Sequence, residues 1–344
     1  MPVDRTQLIA SERWSRPIIR RIGVLVCASG LLGAAPHAPS PGVPSDPYLF
    51  GGRIIAADGG ALDGVHVVAT DSHGAHEAIV DSSGMFVGSL PGPPEHHVIL
   101  RVFSDSTNPR YHTSVVALGS VLLQSTRIVV LPLRWRIRGG LFDGRDVAID
   151  PGRATTRYGE GPGYWRVTRR APAVGRAVSW VPDSFPIRLA FRHERGDPAI
   201  APRDSVRFWE IAESVERALG RALFRPAAFA EIDSGSEGIL VTVNRRLSAG
   251  GKTFVTYDQG GRIYEALVTV SDHDYLGESR IATHELLHAI GFGHTAAWSS
   301  VMGPYTTGVQ TPTIEDVAYA QLFYAISEVQ RDRDAPFAIL ESGR

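Results

Sequence analysis

The sequence predicts an α+β protein, with a small all-β front part followed by a mixed part of strands and three main helices. Three observations predict it. Short β-branched runs alternate with turn signals over 48–136, strand runs alternate with three helix-spaced apolar stripes over 177–327, and a stretch rich in Gly, Pro and Arg separates the two. The 344 residues are 43% hydrophobic and 21% charged, ordinary for a water-facing chain with more than one core.

The first element is a leader. Arg20-Arg21 precede the apolar run from Ile22 to Leu32, which ends in Gly33-Ala34-Ala35. A charged region, a short hydrophobic core and small residues make 1–35 an expected secretory signal peptide, and the protein an expected exported one. The run is too short for a membrane span, so the mature chain is expected to have none. The single cysteine, Cys27, falls inside the leader, so the mature chain is expected to hold no disulfide. Residues 36–47 read as a Pro-rich spacer. A net charge of -1 and a pI near 6.9 supply no global field for nucleic acid or an anionic membrane, and neither is expected as a partner.

Strand runs in the front part include 64–69, 97–103 and 127–131, with Asp58-Gly59-Gly60, Ser83-Gly84 and Pro91-Gly92-Pro93-Pro94 between them. This spacing suggests a small antiparallel sandwich. The order Gly51-Arg53-Ile54, Leu62-Asp63-Gly64-Val65, then Asp81-Ser82-Ser83-Gly84-Met85-Phe86 resembles the carboxypeptidase regulatory-like domains. Asp81 and Gly84 are expected to shape a hairpin turn. The pairs His96-His97 and His73/His76 are expected to be surface histidines, because no carboxylate stands at a usable metal spacing.

Residues 137–176 are expected to be a linker, strapping the two parts together or covering a cleft as a pro-segment. Asp143, Asp146 and Asp150 are expected to be ordinary loop acids rather than caps on a metal.

In the second part, Val178-Ser179-Trp180 and 187–191 read as strands. Asp204 is expected to cap a helix whose stripe is Phe208, Ile211, Val215, Ala218/Leu219 and Ala222. Strands follow at 238–243, 253–257 and 263–270, then a helix from about Gly277. That helix carries His284-Glu285-Leu286-Leu287-His288-Ala289-Ile290-Gly291-Phe292-Gly293-His294, which reads H-E-x-x-H-x-x-G-x-x-H. Residues four apart share a helix face, so His284 and His288 can hold one ion. Gly291 supplies the left-handed helix end that lets the chain reverse and bring in His294. Three imidazoles leave a fourth zinc position open, the pattern of a catalytic site, and Glu285 can serve as a base without ligating the metal. With twelve histidines in the chain, the five fixed positions arise by chance in roughly one such sequence in ten thousand.

The string resembles the zinc signature of the metzincin metallopeptidases, whose members carry a methionine turn after the third histidine. Here Ser300-Val301-Met302 follows His294, and 313–324 is similar to the closing helix of the matrixin-like branch. Thr313 is expected to cap that helix, with Asp316 completing something close to a capping box. The resemblance implies a twisted mixed sheet with three main helices over 177–327, one catalytic zinc, Met302 as the floor of the site, and 328–344 as a tail. In related branches a tyrosine two positions after the methionine can reach the metal. Tyr305 stands three positions after it, so the expectation is that Tyr305 to Val309 wall the substrate pocket. Asp258, Asp272 and Asp274 lie in loops where relatives often bind calcium, but no oxygen cage can be read, so solvated acids are expected. The implied activity is zinc-dependent hydrolysis of a protein or peptide substrate. Alternatives are a binding or adhesion protein that works through the sandwich, and a hydrolase of a non-peptide amide.

Overall fold

The computed structural model describes residues 47–92, 98–118, 126–157, 163–171, 174–193, 199–233, 236–303, 308–329 and 337–338. The expected leader, all but the last residue of the expected spacer, His96, His97 and Tyr305 lie outside them. No helix among the described residues is long and apolar enough to cross a membrane.

The front part contains β1 (Tyr48–Ala56), β2 (Val65–Asp71), β3 (Gly74–Val80), β4 (Met85–Leu90), β5 (Val98–Ser104), β6 (Ser114–Leu118) and β7 (Thr126–Val130). Their sheet runs β7-β1-β4-β3-β2-β5-β6. Strand β3 changes partners along its length: residues 74–78 pair with β2, while Ile79 and Val80 pair with β4. A strand that switches partners turns a corner, and alternate residues such as Phe50, Ile54, Val67, Phe86, Leu100 and Val102 fill a common core.

The hairpin between β3 and β4 shows how local chemistry sets register. Asp81 Oδ1 accepts from the Ser83 N–H and hydroxyl and from the Met85 N–H at 2.7–2.9 Å. Gly84 has φ +83°, and a Cβ there would stand 2.3 Å from the Ile54 carbonyl oxygen. One expectation about the histidines needs correction: Asp71 does accompany His73 and His76, at 3.3 and 3.6 Å. The β2–β3 turn brings it there, although the three do not converge as a metal-holding group.

The interval 137–176 is folded rather than bare. It adds β9 (Asp146–Ala148), paired with β8 (Arg134–Arg136), then a turn of helix α1 (Pro151–Ala154). The strands β10 (Thr155–Arg157), β11 (Trp165–Ala171) and β12 (Val174–Ala177) make a separate small sheet. Such short elements carry little periodicity for a sequence to display. Val178 to Trp180, expected as a strand, makes only an isolated bridge from Ser179 to Arg262.

Beyond it lie β13 (Ile187–Phe191), α2 (Pro202–Leu219), β14 (Phe224–Pro226), α3 (Phe229–Asp233), β15 (Gly238–Val243), β16 (Gly251–Tyr257), β17 (Ile263–Val270), α4 (Ser279–Ala289) and α5 (Ile314–Val329). The sheet order is β14-β13-β15-β17-β16, parallel except for the antiparallel edge strand β16. Central strand β15 is buried at every position, as a parallel strand covered on both faces must be. Helix α2 starts at Pro202 with Ala201 as its N-cap, not at Asp204. Proline at the first helical position needs no N–H there. Asp204 sits instead in the first turn, buried and 3.4 Å from His273 Nδ1. The helix stops at Gly220, φ +70°, so Ala222 lies beyond it and is exposed. The far end of the chain returns to the front sheet, where β18 (Phe337–Ala338) lies parallel to β7. Residues of both parts, from Phe50 to Ile326, belong to one contiguous core.

Replacing Gly84 with Ala forces a left-handed backbone and a clash with Ile54, and is expected to cost about 1–3 kcal/mol, read as a lower unfolding midpoint. The Ser83 hydroxyl, and then the N–H groups of the turn, hold the Asp81 carboxyl below its ordinary value. A depressed folded value means this stabilisation is present above the ordinary carboxylate value and fades as pH falls. Asp81→Asn should therefore lower the midpoint at pH 7 and leave it nearly unchanged near pH 2. A loss equal at both pH values would contradict that linkage.

Candidate metal centre

Helix α4 is fixed at both ends. Its N-cap is Glu278, whose carboxylate accepts from the N–H groups of Arg280 and Ile281 at 3.3 and 2.8 Å. At the C-terminus the Trp180 indole N–H donates to the Ala289 carbonyl at 2.9 Å, and the Tyr324 hydroxyl to that of Ile290 at 3.0 Å. These carbonyls would otherwise be orphaned at a buried helix end. Gly291 then adopts φ +109°, and a Cβ on it would stand 2.5 Å from the Val178 carbonyl oxygen. The chain reverses there and carries His294 back toward the helix.

The three imidazoles converge. The Nε2 atoms of His284, His288 and His294 lie 3.0–3.1 Å from one another. This is the one group of three metal-ligating side chains among the described residues, and it can hold a metal ion. The Nδ1 of His284 stands 2.7 Å from the Val301 carbonyl and that of His288 2.7 Å from the Phe292 carbonyl. A carbonyl can only accept, so each Nδ1 carries a proton, and the neutral ring then has its Nε2 lone pair available for an ion. Glu285, next to His284, is not part of the triad. It is 5% exposed, and its Oε2 accepts from the Thr253 hydroxyl at 2.6 Å.

The turn after the third histidine locks onto this arrangement. The Thr295 N–H donates to the Met302 carbonyl at 3.0 Å, and the Met302 side chain is fully buried. Ser300 and Asp316 make the underlying knot. The Asp316 carboxylate accepts from the Ser300 hydroxyl, from the Val301 N–H at 3.2 Å, and from the Thr313 N–H and hydroxyl at 2.9 and 2.8 Å. The Asp316 N–H lies 3.3 Å from the Thr313 hydroxyl, completing a capping box with a shorter acid than usual. Val301 is thus held by Asp316 through its N–H and holds His284 through its carbonyl. Burial pushes the Asp316 carboxyl above the usual carboxylate range, against the pull of those donors.

The expected linker belongs to this centre as well. The Gly163 N–H donates to the His294 carbonyl at 2.6 Å, the Gly293 N–H to the Tyr164 carbonyl at 2.8 Å, and Trp165 bridges Phe292. Tyr164 stacks on Tyr319 of α5 at 4.4 Å, and the Trp165 indole N–H reaches the Tyr319 carbonyl at 2.8 Å. Sequence reasoning missed Thr253, Tyr164, Trp165 and Trp180, since no motif marks them. For Asp316 the Thr313-x-x-Asp316 spacing gave the helix cap but not its reach to Ser300.

The remaining acids serve their own turns. Asp143 accepts from the Gly139 N–H, Asp150 from Gly152, Asp258 from Arg262 and Asp272 from Asp274. An open cavity of about 520 Å³ lies beside the start of α4, lined by Gly250, Tyr275, Glu278, Arg280, Ile281, Gly308 and Gln310. Of the residues after Met302, Gly308 and Gln310 stand on its wall. No protein-family model matches this chain, and a search of curated proteins finds no match either.

Asp316→Ala would leave four donors without their acceptor, those of Ser300 and Val301 buried, and is expected to cost about 3 kcal/mol. Because it also frees the N–H of Val301, whose carbonyl orients His284, metal affinity should fall roughly 10–100-fold. Denaturant unfolding and chelator competition measure the two effects; wild-type values in both would refute the relay from Asp316 to His284.

Proposed function

We propose that this protein is an exported zinc endopeptidase of the metzincin type, hydrolysing peptide bonds in a protein or peptide substrate. The convergence of three imidazole Nε2 atoms next to a buried, non-ligating glutamate carries this reading. Nitrogens about 2.0–2.1 Å from a tetrahedral zinc stand roughly 3.3–3.4 Å apart, so the observed spacing lies within a few tenths of an ångström of that ion's needs. An all-nitrogen set of neutral imidazoles suits zinc better than calcium or magnesium, which take oxygen ligands. The order of strand, helix, strands, histidine helix, methionine turn and closing helix also supports the metzincin reading. Export is the function of the leader read from residues 20–35.

Zinc bound there would supply a Lewis acid that activates water and polarises the scissile carbonyl. Glu285 takes the proton of the attacking water and returns it to the departing amine nitrogen. The substrate backbone lies extended beside edge strand β16, bonding main chain to main chain as an added strand does. The side chain of the residue beyond the cut enters the cavity between Ile281 and Gly308.

Glu285→Gln should bind one zinc per chain as the parent does, while losing at least about 100-fold in turnover of an unfolded protein substrate. Metal analysis and a cleavage assay, each run with and without a chelator, read both quantities. Undiminished or chelator-insensitive cleavage would end the assignment. Tight partner binding by a parent chain that cleaves nothing would point to the sandwich instead.

A further inference from the structure

Strand β16 presents Gly251 and Thr253, two residues apart, to the face on which α4 packs. Both meet Glu285. The Thr253 hydroxyl donates to Glu285 Oε2 at 2.6 Å, and its Oγ1 lies 3.1 Å from the Glu285 main-chain carbonyl oxygen. At Gly251 a Cβ would stand 2.6 Å from both Cγ and Oε1 of Glu285, so only glycine leaves the side chain its present course. The last torsion of a glutamate is broad and nearly two-fold, so a carboxylate without a partner turns freely about it. A hydroxyl bound to an ionised oxygen at this distance is among the stronger hydrogen bonds, and it removes that freedom.

We propose that Thr253 is a positioning residue for the base, an inference that rests on the peptidase reading. Its hydroxyl fixes Oε2, and with it the plane of the carboxylate, leaving Oε1 to exchange the proton. Gly251 provides the room this orientation requires. Thr253 acts through Glu285 and touches no reacting atom. Because the substrate backbone lies along β16, one strand sets both the register of the peptide and the aim of the base.

The test compares the full chain with Thr253→Val, which keeps the shape and loses the hydroxyl, and Thr253→Ser, which keeps the hydroxyl. Thr253→Val should lose roughly 10–100-fold in kcat, with KM, zinc stoichiometry and melting temperature near those of the parent. Thr253→Ser should recover most of the loss. In the metal-free protein, Thr253→Val should shift a carboxylate infrared band, and the shift should vanish when Glu285 is already Gln. Gly251→Ala should lower kcat in the same way as Thr253→Val.

An active parent with an indifferent Thr253→Val overturns the inference alone. So does a loss of activity that tracks lost zinc or lost folding and that serine does not restore, because Thr253 would then be only a tether between strand and helix. A parent that cleaves no peptide overturns the peptidase reading first and this one with it.

Discussion

Two main-chain carbonyls, those of Val301 and Phe292, decide which nitrogen His284 and His288 turn toward each other. An imidazole on a helix has two usable nitrogens, and without an acceptor at Nδ1 either tautomer and several ring angles compete. Fixing Nδ1 makes each Nε2 a lone-pair donor on a known line. Both carbonyls belong to the chain just past the helix, and each is held by something buried. Phe292 sits in the reversal that Gly291 permits, and Val301 is gripped by Asp316 through its N–H. The centre is therefore made by the ending of α4 more than by the helix itself.

That ending is secured from two directions. Helix α5 approaches with Asp316, Tyr319 and Tyr324, while the interval after the front sheet approaches with Gly163, Tyr164 and Trp165. Burying the Asp316 carboxylate costs several kcal/mol before its partners are counted. Four donors converging on it offset that cost and convert it into a rigid junction between the methionine turn and α5. Tyr164 lies against the same junction, where burial and then the Asp316 charge push its hydroxyl well above the ordinary value. A segment bonded to the third-ligand turn through its own main chain cannot be stripped away without disturbing His294. As a strap it belongs to the mature centre; as a removable pro-segment it would take part of the centre with it.

The legible and illegible parts of the chain divide along a physical line. Features set by side-chain identity at short spacing can be read: the paired histidines, the glycine that reverses the chain, the Thr313 cap, and the Asp81 turn. The alternating strands of the front sheet and the stripe on α2 are legible because burial imposes a period. Features set by long-range packing cannot be read. Nothing in the residues of 137–176 announces that Gly163 will meet His294, since the contact is main chain to main chain. Thr253 has no signature because a threonine in an edge strand is ordinary until a helix lays Glu285 across it. The start of α2 was misplaced for a related reason: Asp204 has the chemistry of a cap, but Pro202 already fits the first helical position, and Asp204 turns toward His273.

The same division bears on how much of the centre depends on residue identity. Backbone atoms do most of the aiming here: the carbonyls of Val301, Phe292, Tyr164 and His294, and the N–H groups of Gly163, Gly293, Thr295 and Val301. Any residue supplies a carbonyl, and any residue but proline supplies an N–H. Side-chain identity matters at the three histidines, at Asp316 with its partners Ser300 and Thr313, at the reversing Gly291, and at Trp165, Trp180 and Tyr324, whose side-chain donors secure α4 and α5. A change at any of these positions acts directly on the geometry of the centre.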